Sequence, residues 1–170
     1  MYGYAGGDPI NFSDPFGLCK KPREDGRKCN SKTGDSNLDD PDRRQQMEDT
    51  YNEAGTDPSG LRYERGGACS TEGQCRLTGD GEVDEVAVTY PGNKFPAYDW
   101  HTHGNEGKSH PSGGTFGFGP SRDKDLPAVK GESKNGRTTP SYIFGRNRIY
   151  VQTPDGKGGV ELTSYPRWER

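Results

Sequence analysis

Apolar side chains are what this sequence has least of: they make up 26% of its 170 residues, far below the roughly 45–50% of an ordinary globular chain, even allowing for glycine. Gly (26) and Pro (13) are plentiful instead. Ordering each residue costs about 1–2 kcal/mol, so a small core must be concentrated in a few strands. Much of the chain is then expected to stay irregular unless a metal, disulfides or a partner tie it down.

Other absences narrow the function. No run of about 18 apolar residues occurs, which excludes a spanning helix. Basic and acidic residues number 23 and 26 and are mixed along the chain; the clustered basic stripe of a nucleic-acid surface is missing. The opening Met1-Tyr2-Gly3-Tyr4-Ala5-Gly6-Gly7 lacks the basic and apolar regions of a signal peptide, so export is expected by another route or as part of something longer. None of the four cysteines forms the C-x2-C pair of a zinc knuckle. They fall as Cys19 with Cys29 and Cys69 with Cys75. The second pair flanks a turn-like insert and fits either a cross-hairpin disulfide or two free thiols.

What is present divides into three stretches. Residues 1–18 alternate aromatics with Asp-Pro and Gly turns, as a short extended tail would. Residues 19–41 are nearly devoid of apolar side chains and read as a flexible linker. Residues 42–170 carry the domain. Asp40 and Pro41 supply an N-cap and a first-turn proline for a helix over 42–54, closed by Gly55, with Met47, Tyr51 and Ala54 on one stripe. Strands are expected over 62–68, 75–78, 82–90, 97–102, 141–145, 148–153 and 159–163. A second short helix is expected between Ser121 and Gly131 despite Pro127. The fold class is α+β: a small mixed or antiparallel sheet carrying one or two helices.

The chemistry centres on Tyr98-Asp99-Trp100-His101-Thr102-His103. Alternate residues of a strand share a face, so His101 and His103 present two imidazoles together. A catalytic zinc site needs three protein ligands and an open position, so one more donor is required. Asp125 and Asp123 are the nearest acids on the C-terminal side. His110, the remaining histidine, lies in a glycine-rich loop and reads as a solvated residue that is also available as a ligand. Asp99 and Trp100 are strand neighbours of the pair.

Two resemblances add to this. Tyr4-Ala5-Gly6-Gly7-Asp8-Pro9 followed by Asp14-Pro15-Phe16-Gly17-Leu18 resembles the end of the Rhs repeat-associated core, where a shell cuts itself after the leucine to free a variable C-terminal toxin. The resemblance implies a cut between Leu18 and Cys19 with Asp14 as acidic participant. It also implies a secreted effector delivered into a target cell, a cognate immunity protein, and enclosure in the Rhs shell before release. The family's upstream aspartate motif is not in this chain, so self-cleavage is not expected of it.

Residues 42–165 are similar to JAB/MPN+ metallopeptidases, whose pattern is a strand glutamate, H-x-H, then S-x-x-D opening a helix. Here it reads Glu64-Arg65-Gly66-Gly67, His101-Thr102-His103 and Pro120-Ser121-Arg122-Asp123-Lys124-Asp125. S-x-x-D from Ser121 falls on Lys124. Asp125 is taken as the matching acid because Leu126 and Ala128 look like the start of the family helix. By this resemblance His101, His103 and Asp125 hold Zn2+, Glu64 is the catalytic base, and Ser121 steadies the oxyanion during hydrolysis of a protein substrate. A metal-dependent nuclease and a non-catalytic binding module on the same scaffold are the alternatives.

One expectation is tested at the protein level. In a chain carrying the whole shell, mass spectrometry should find a fragment beginning at Cys19; a toxin still joined through Leu18-Cys19 contradicts the boundary.

Overall fold

The computed structural model describes residues 27–30, 32–92 and 94–169; Asp14, Leu18 and Cys19 lie outside the described residues. In chain order the elements are α1 (Pro41–Asn52), β1 (Gly66–Cys69), β2 (Cys75–Leu77), β3 (Tyr98–Thr102), α2 (Asp125–Lys134), β4 (Ser141–Phe144), β5 (Arg148–Pro154) and β6 (Val160–Pro166). The strands make one six-stranded sheet in the order β2-β1-β3-β4-β5-β6. Only β3 and β4 run parallel. A parallel pair needs a long crossover, and the segment holding α2 supplies it. The expected α+β architecture is what forms.

α1 begins as its sequence dictates. The Asp40 carboxylate accepts from the backbone N–H groups of Asp42 and Arg43 at 3.0 and 2.9 Å, and Pro41 occupies a position whose missing N–H costs nothing. Its buried stripe differs from the one read in the sequence: Arg44, Met47, Glu48 and Tyr51 face the sheet, and Ala54 lies beyond the helix. Two charged residues are thus in the interior. They are tolerated because Glu48 accepts from Arg44 Nε at 3.0 Å and from Arg167 Nε at 2.9 Å. The Arg44 guanidinium also donates to the Arg167 carbonyl, and that of Arg167 to the Gly145 carbonyl. The Arg167 guanidinium lies 3.8 Å from the centre of the Tyr51 ring, a cation over an aromatic face.

Alternation along β3 splits the sheet into two unlike faces. Tyr98 and Trp100 join Met47, Tyr51, Tyr142, Phe144, Ile149 and Val151 in the apolar core beneath α1. Asp99 and His101 point to the opposite side, over which α2 crosses. Register carries this across the sheet: Trp100 pairs with Tyr142 and His101 with Ile143.

Three expectations are corrected. Residues 82–90 do not form a strand, although Val86, Val88 and Tyr90 are partly buried in alternation. Both edges of β1 are already taken, by β2 and β3, so the segment is held by other contacts. The Tyr90 hydroxyl bonds Asp99 and Glu132, and the Tyr90 carbonyl accepts from Arg76. Second, the described part of the expected linker packs on the domain. Leu38 is 0% exposed and Cys29 4%; Asn37 donates to the Tyr142 hydroxyl and that hydroxyl donates to Asp35. Short polar side chains that bond backbone and tyrosine stand in for apolar burial there. Third, α2 starts at Asp125 and runs past Gly131 to Lys134. Pro127 falls in its first turn, where no N–H is needed. The choice left open for Cys69 and Cys75 is settled: they form a disulfide across the β1–β2 hairpin.

The Arg44–Glu48–Arg167 group gives a quantitative expectation. Glu48→Ala leaves two buried guanidinium groups without their carboxylate and should cost about 3–5 kcal/mol of stability in chemical denaturation. A loss under about 1 kcal/mol, the range of an exposed ion pair, would show that the group does not hold α1 to the sheet.

Candidate metal centre

The two histidines leave β3 at its C-terminal end. His101 is paired with Gly66 on one side and Ile143 on the other. His103 lies just past the strand, yet its N–H still donates to the Phe144 carbonyl at 2.9 Å. Both imidazoles therefore sit on the α2 side, and their Nε2 atoms are 3.1 Å apart. Thr102 between them faces the other way. Its hydroxyl accepts from the Arg65 N–H at 3.0 Å and its N–H donates to the Arg65 carbonyl.

That grip on Arg65 places Glu64. The Glu64 N–H donates to the Glu82 carbonyl and its carbonyl accepts from the Gly81 N–H, both at 2.8 Å, which fixes the backbone on either side of the residue. Its carboxylate comes within 3.5 Å of His103 Nε2. The glycines that follow are a steric requirement. A β-carbon on Gly66 would press on the Trp100 carbonyl and lie 2.7 Å from a Val88 methyl, and one on Gly67 would lie 2.5 Å from the Trp100 ring.

Asp125 arrives from the opposite direction, on the first turn of α2. Its two oxygens lie 3.2 Å from His101 Nε2 and 3.3 Å from His103 Nε2. Ser121 holds it there through a reciprocal pair of bonds. The Ser121 N–H donates to Asp125 Oδ2 at 2.8 Å, and the Asp125 N–H donates to Ser121 Oγ at 2.9 Å. A carboxylate at a helix N-terminus is favoured by the helix dipole as well. Asp123 is exposed.

Electrostatics separate the two carboxylates. Burial pushes the Glu64 carboxyl up to about 8; His103 opposes this and Asp125 and Asp84 add to it. Burial acts the same way on Asp125, but hydrogen bonds to His101 and His103 outweigh it and hold that carboxyl well below the usual range. The two neighbouring carboxyls are thus driven in opposite directions, Glu64 up and Asp125 down. Ligand atoms of Glu64, His101 and His103 lie within 4.8 Å of one another, a group able to hold a metal ion.

His110 is not part of this group. It pairs with Asp84 at 3.5 Å, accepts from Ser112 and packs on the Phe116 ring. Asp99, on the same face as His101, is engaged by Arg137 at 3.0 Å and the Tyr90 hydroxyl at 2.9 Å. Trp100 is core.

Two residues that sequence reasoning passed over complete the setting. The Asn105 side chain accepts from the Arg62 N–H at 2.8 Å and donates to the carbonyls of Arg62 and Val83. It ties the chain after His103 to the segments flanking Glu64. Buried Glu106 accepts from the Gly119 and Arg146 N–H groups, at 3.1 and 2.9 Å, fastening the glycine-rich loop to the turn before β5. Their position immediately after His103-Gly104 was the available signal. Compared with known protein families, curated proteins and solved structures, the chain matches none.

The two aspartates are distinguishable by experiment. Asp125→Asn should weaken metal binding by more than the roughly 100-fold that loss of a merely supporting partner can cost, and Asp123→Asn should leave it unchanged. Ser121→Ala should fall between them, since it removes the bond that holds Asp125. Equal effects of the two aspartate changes would place the third donor elsewhere.

Proposed function

We propose that the chain is a zinc-dependent hydrolase of peptide or isopeptide bonds, acting as the effector part of a polymorphic toxin released from an Rhs shell. One observation carries the reading: two imidazoles and two carboxylates from three separate segments come together, with four of their separations at 3.1 to 3.5 Å. Zinc bonded at about 2.0–2.2 Å to nitrogen and oxygen in a tetrahedron has its ligands about 3.3–3.5 Å apart, so the residues present fit the ion.

His101, His103 and Asp125 would hold it. When bound, zinc supplies Lewis acidity, bringing the ionisation of water toward neutral pH and polarising a carbonyl oxygen. Glu64 moves the proton, taking it from water and returning it to the leaving amine. Ser121 positions Asp125 by accepting from its N–H, which leaves the hydroxyl proton available to an oxyanion. Glu82, Asp84 and Glu85 border the site near Glu64, Lys124 and His110. That acidic margin favours a protein substrate over a polyphosphate backbone.

The tail signature supports delivery into a target cell and protection of the producer by a cognate immunity protein. No helix among the described residues is long and apolar enough to cross a membrane.

The test pairs metal content with activity. His101→Ala and His103→Ala should lose zinc and toxicity together. Glu64→Gln, given saturating zinc, should still carry one ion per chain while turnover falls by about 10²–10⁴. Undiminished toxicity in a metal-free chain contradicts the hydrolase reading; degradation of nucleic acid instead of protein would move it to a nuclease.

A further inference from the structure

The donor geometry contains one ligand more than an open catalytic site needs. Asp125 presents one oxygen to each imidazole, at 3.2 and 3.3 Å, the imidazole nitrogens are 3.1 Å apart, and Glu64 Oε1 stands 3.5 Å from His103 Nε2. These four separations lie within a few tenths of an ångström of the tetrahedral edge of about 3.3–3.5 Å, and ligand atoms of Glu64, His101 and His103 all lie within 4.8 Å of one another. The position that a hydrolytic site leaves to water is the one nearest Glu64.

We infer that Glu64 is the fourth metal ligand of the resting protein, so that the site is closed until this carboxylate swings away. The inference rests on the metal reading proposed above and adds regulation to it. Glu64 is 7% exposed, and its backbone is pinned on both sides by Gly81 and Glu82. Opening therefore falls to its side-chain torsions. Its carboxylate is ion-paired with His103, and among the described residues no arginine or lysine forms a salt bridge with it. Asp84 and Asp125 act on it as like charges and Lys124 as an opposite one. A substrate that brings its own oxygen to the site competes for the same position, and the displaced carboxylate is then within reach of the proton it is to move. One residue would thus serve as plug at rest and as base in turnover.

The experiment uses the full chain stripped of metal, with Zn2+ and Co2+ as titrants and azide as a small probe of an open coordination position. A ligand role predicts zinc affinity more than about 100-fold higher in the wild type than in Glu64→Gln and Glu64→Ala, beyond what an outer partner commonly contributes. It also predicts visible bands of the Co2+-loaded wild type that azide leaves unchanged, and bands of both variants that azide shifts. Near-ultraviolet circular dichroism verifies that the variants keep the native fold. Equal affinities, or azide binding to the wild type, overturns the inference and leaves Glu64 as a base beside an open three-ligand site. A wild type that takes up neither ion overturns the metal reading itself, an outcome separable from the other two.

Discussion

At Gly66 and Gly67 no β-carbon fits, because at Gly66 it would meet the Trp100 carbonyl of β3 and at Gly67 the Trp100 ring. This contact sets the rest of the site. Because β1 can lie flat against Trp100 and His101, Thr102 can bond Arg65 on both its N–H and its carbonyl. Glu64 is then delivered to the imidazoles from a segment that is distant in sequence. On the other side β3 pairs with β4 in parallel, which forces the chain through a long crossover and lets α2 bring Asp125 back over the same face. The polar half of the sheet thereby brings Glu64 and Asp125 to the two imidazoles, and the apolar half carries the core.

A chain so poor in apolar residues must obtain its order elsewhere, and it does so through buried charge. Arg44, Glu48 and Arg167 lock α1 to the sheet. Arg137, Asp99, Tyr90 and Glu132 join β3, the 82–90 segment and α2. Such groups are costly to desolvate and add little to stability over a well-packed apolar core. They are directional, however, so they hold each element in one place. That is the property a site assembled from three separate segments needs.

Where local chemistry decided structure, it was legible. Asp40-Pro41 marks the helix start without reference to anything distant, and strand alternation places His101 and His103 on one side. The spacing of Cys69 and Cys75 around a turn admitted the disulfide that forms. Asp125 was one of two acids near enough downstream to be the next donor, but Glu64 and Ser121 were a different matter. No spacing joins Glu64 to the histidines, and only a resemblance brought these residues into the same reading. What remained hidden was set by tertiary context. The alternation over 82–90 has the look of a strand, but β1 had no free edge to offer it. Leu38, alone among polar neighbours, gave no sign of burial, because its surroundings are satisfied by Asp35, Asn37 and Tyr142. Nothing in the spacing of Arg44 and Glu48 announces their burial, which depends on Arg167, far along the chain, lying beside them.

The central claim is that imidazole and carboxylate groups from this one point hold a metal ion. X-ray absorption at the zinc edge, on the purified chain loaded with one equivalent of zinc, addresses it most directly. The account predicts nearest atoms of nitrogen and oxygen only, at about 2.0–2.2 Å, with the outer scattering of two imidazoles. Sulfur neighbours at about 2.3 Å, or a zinc surrounded by water oxygens without imidazole scattering, would contradict it.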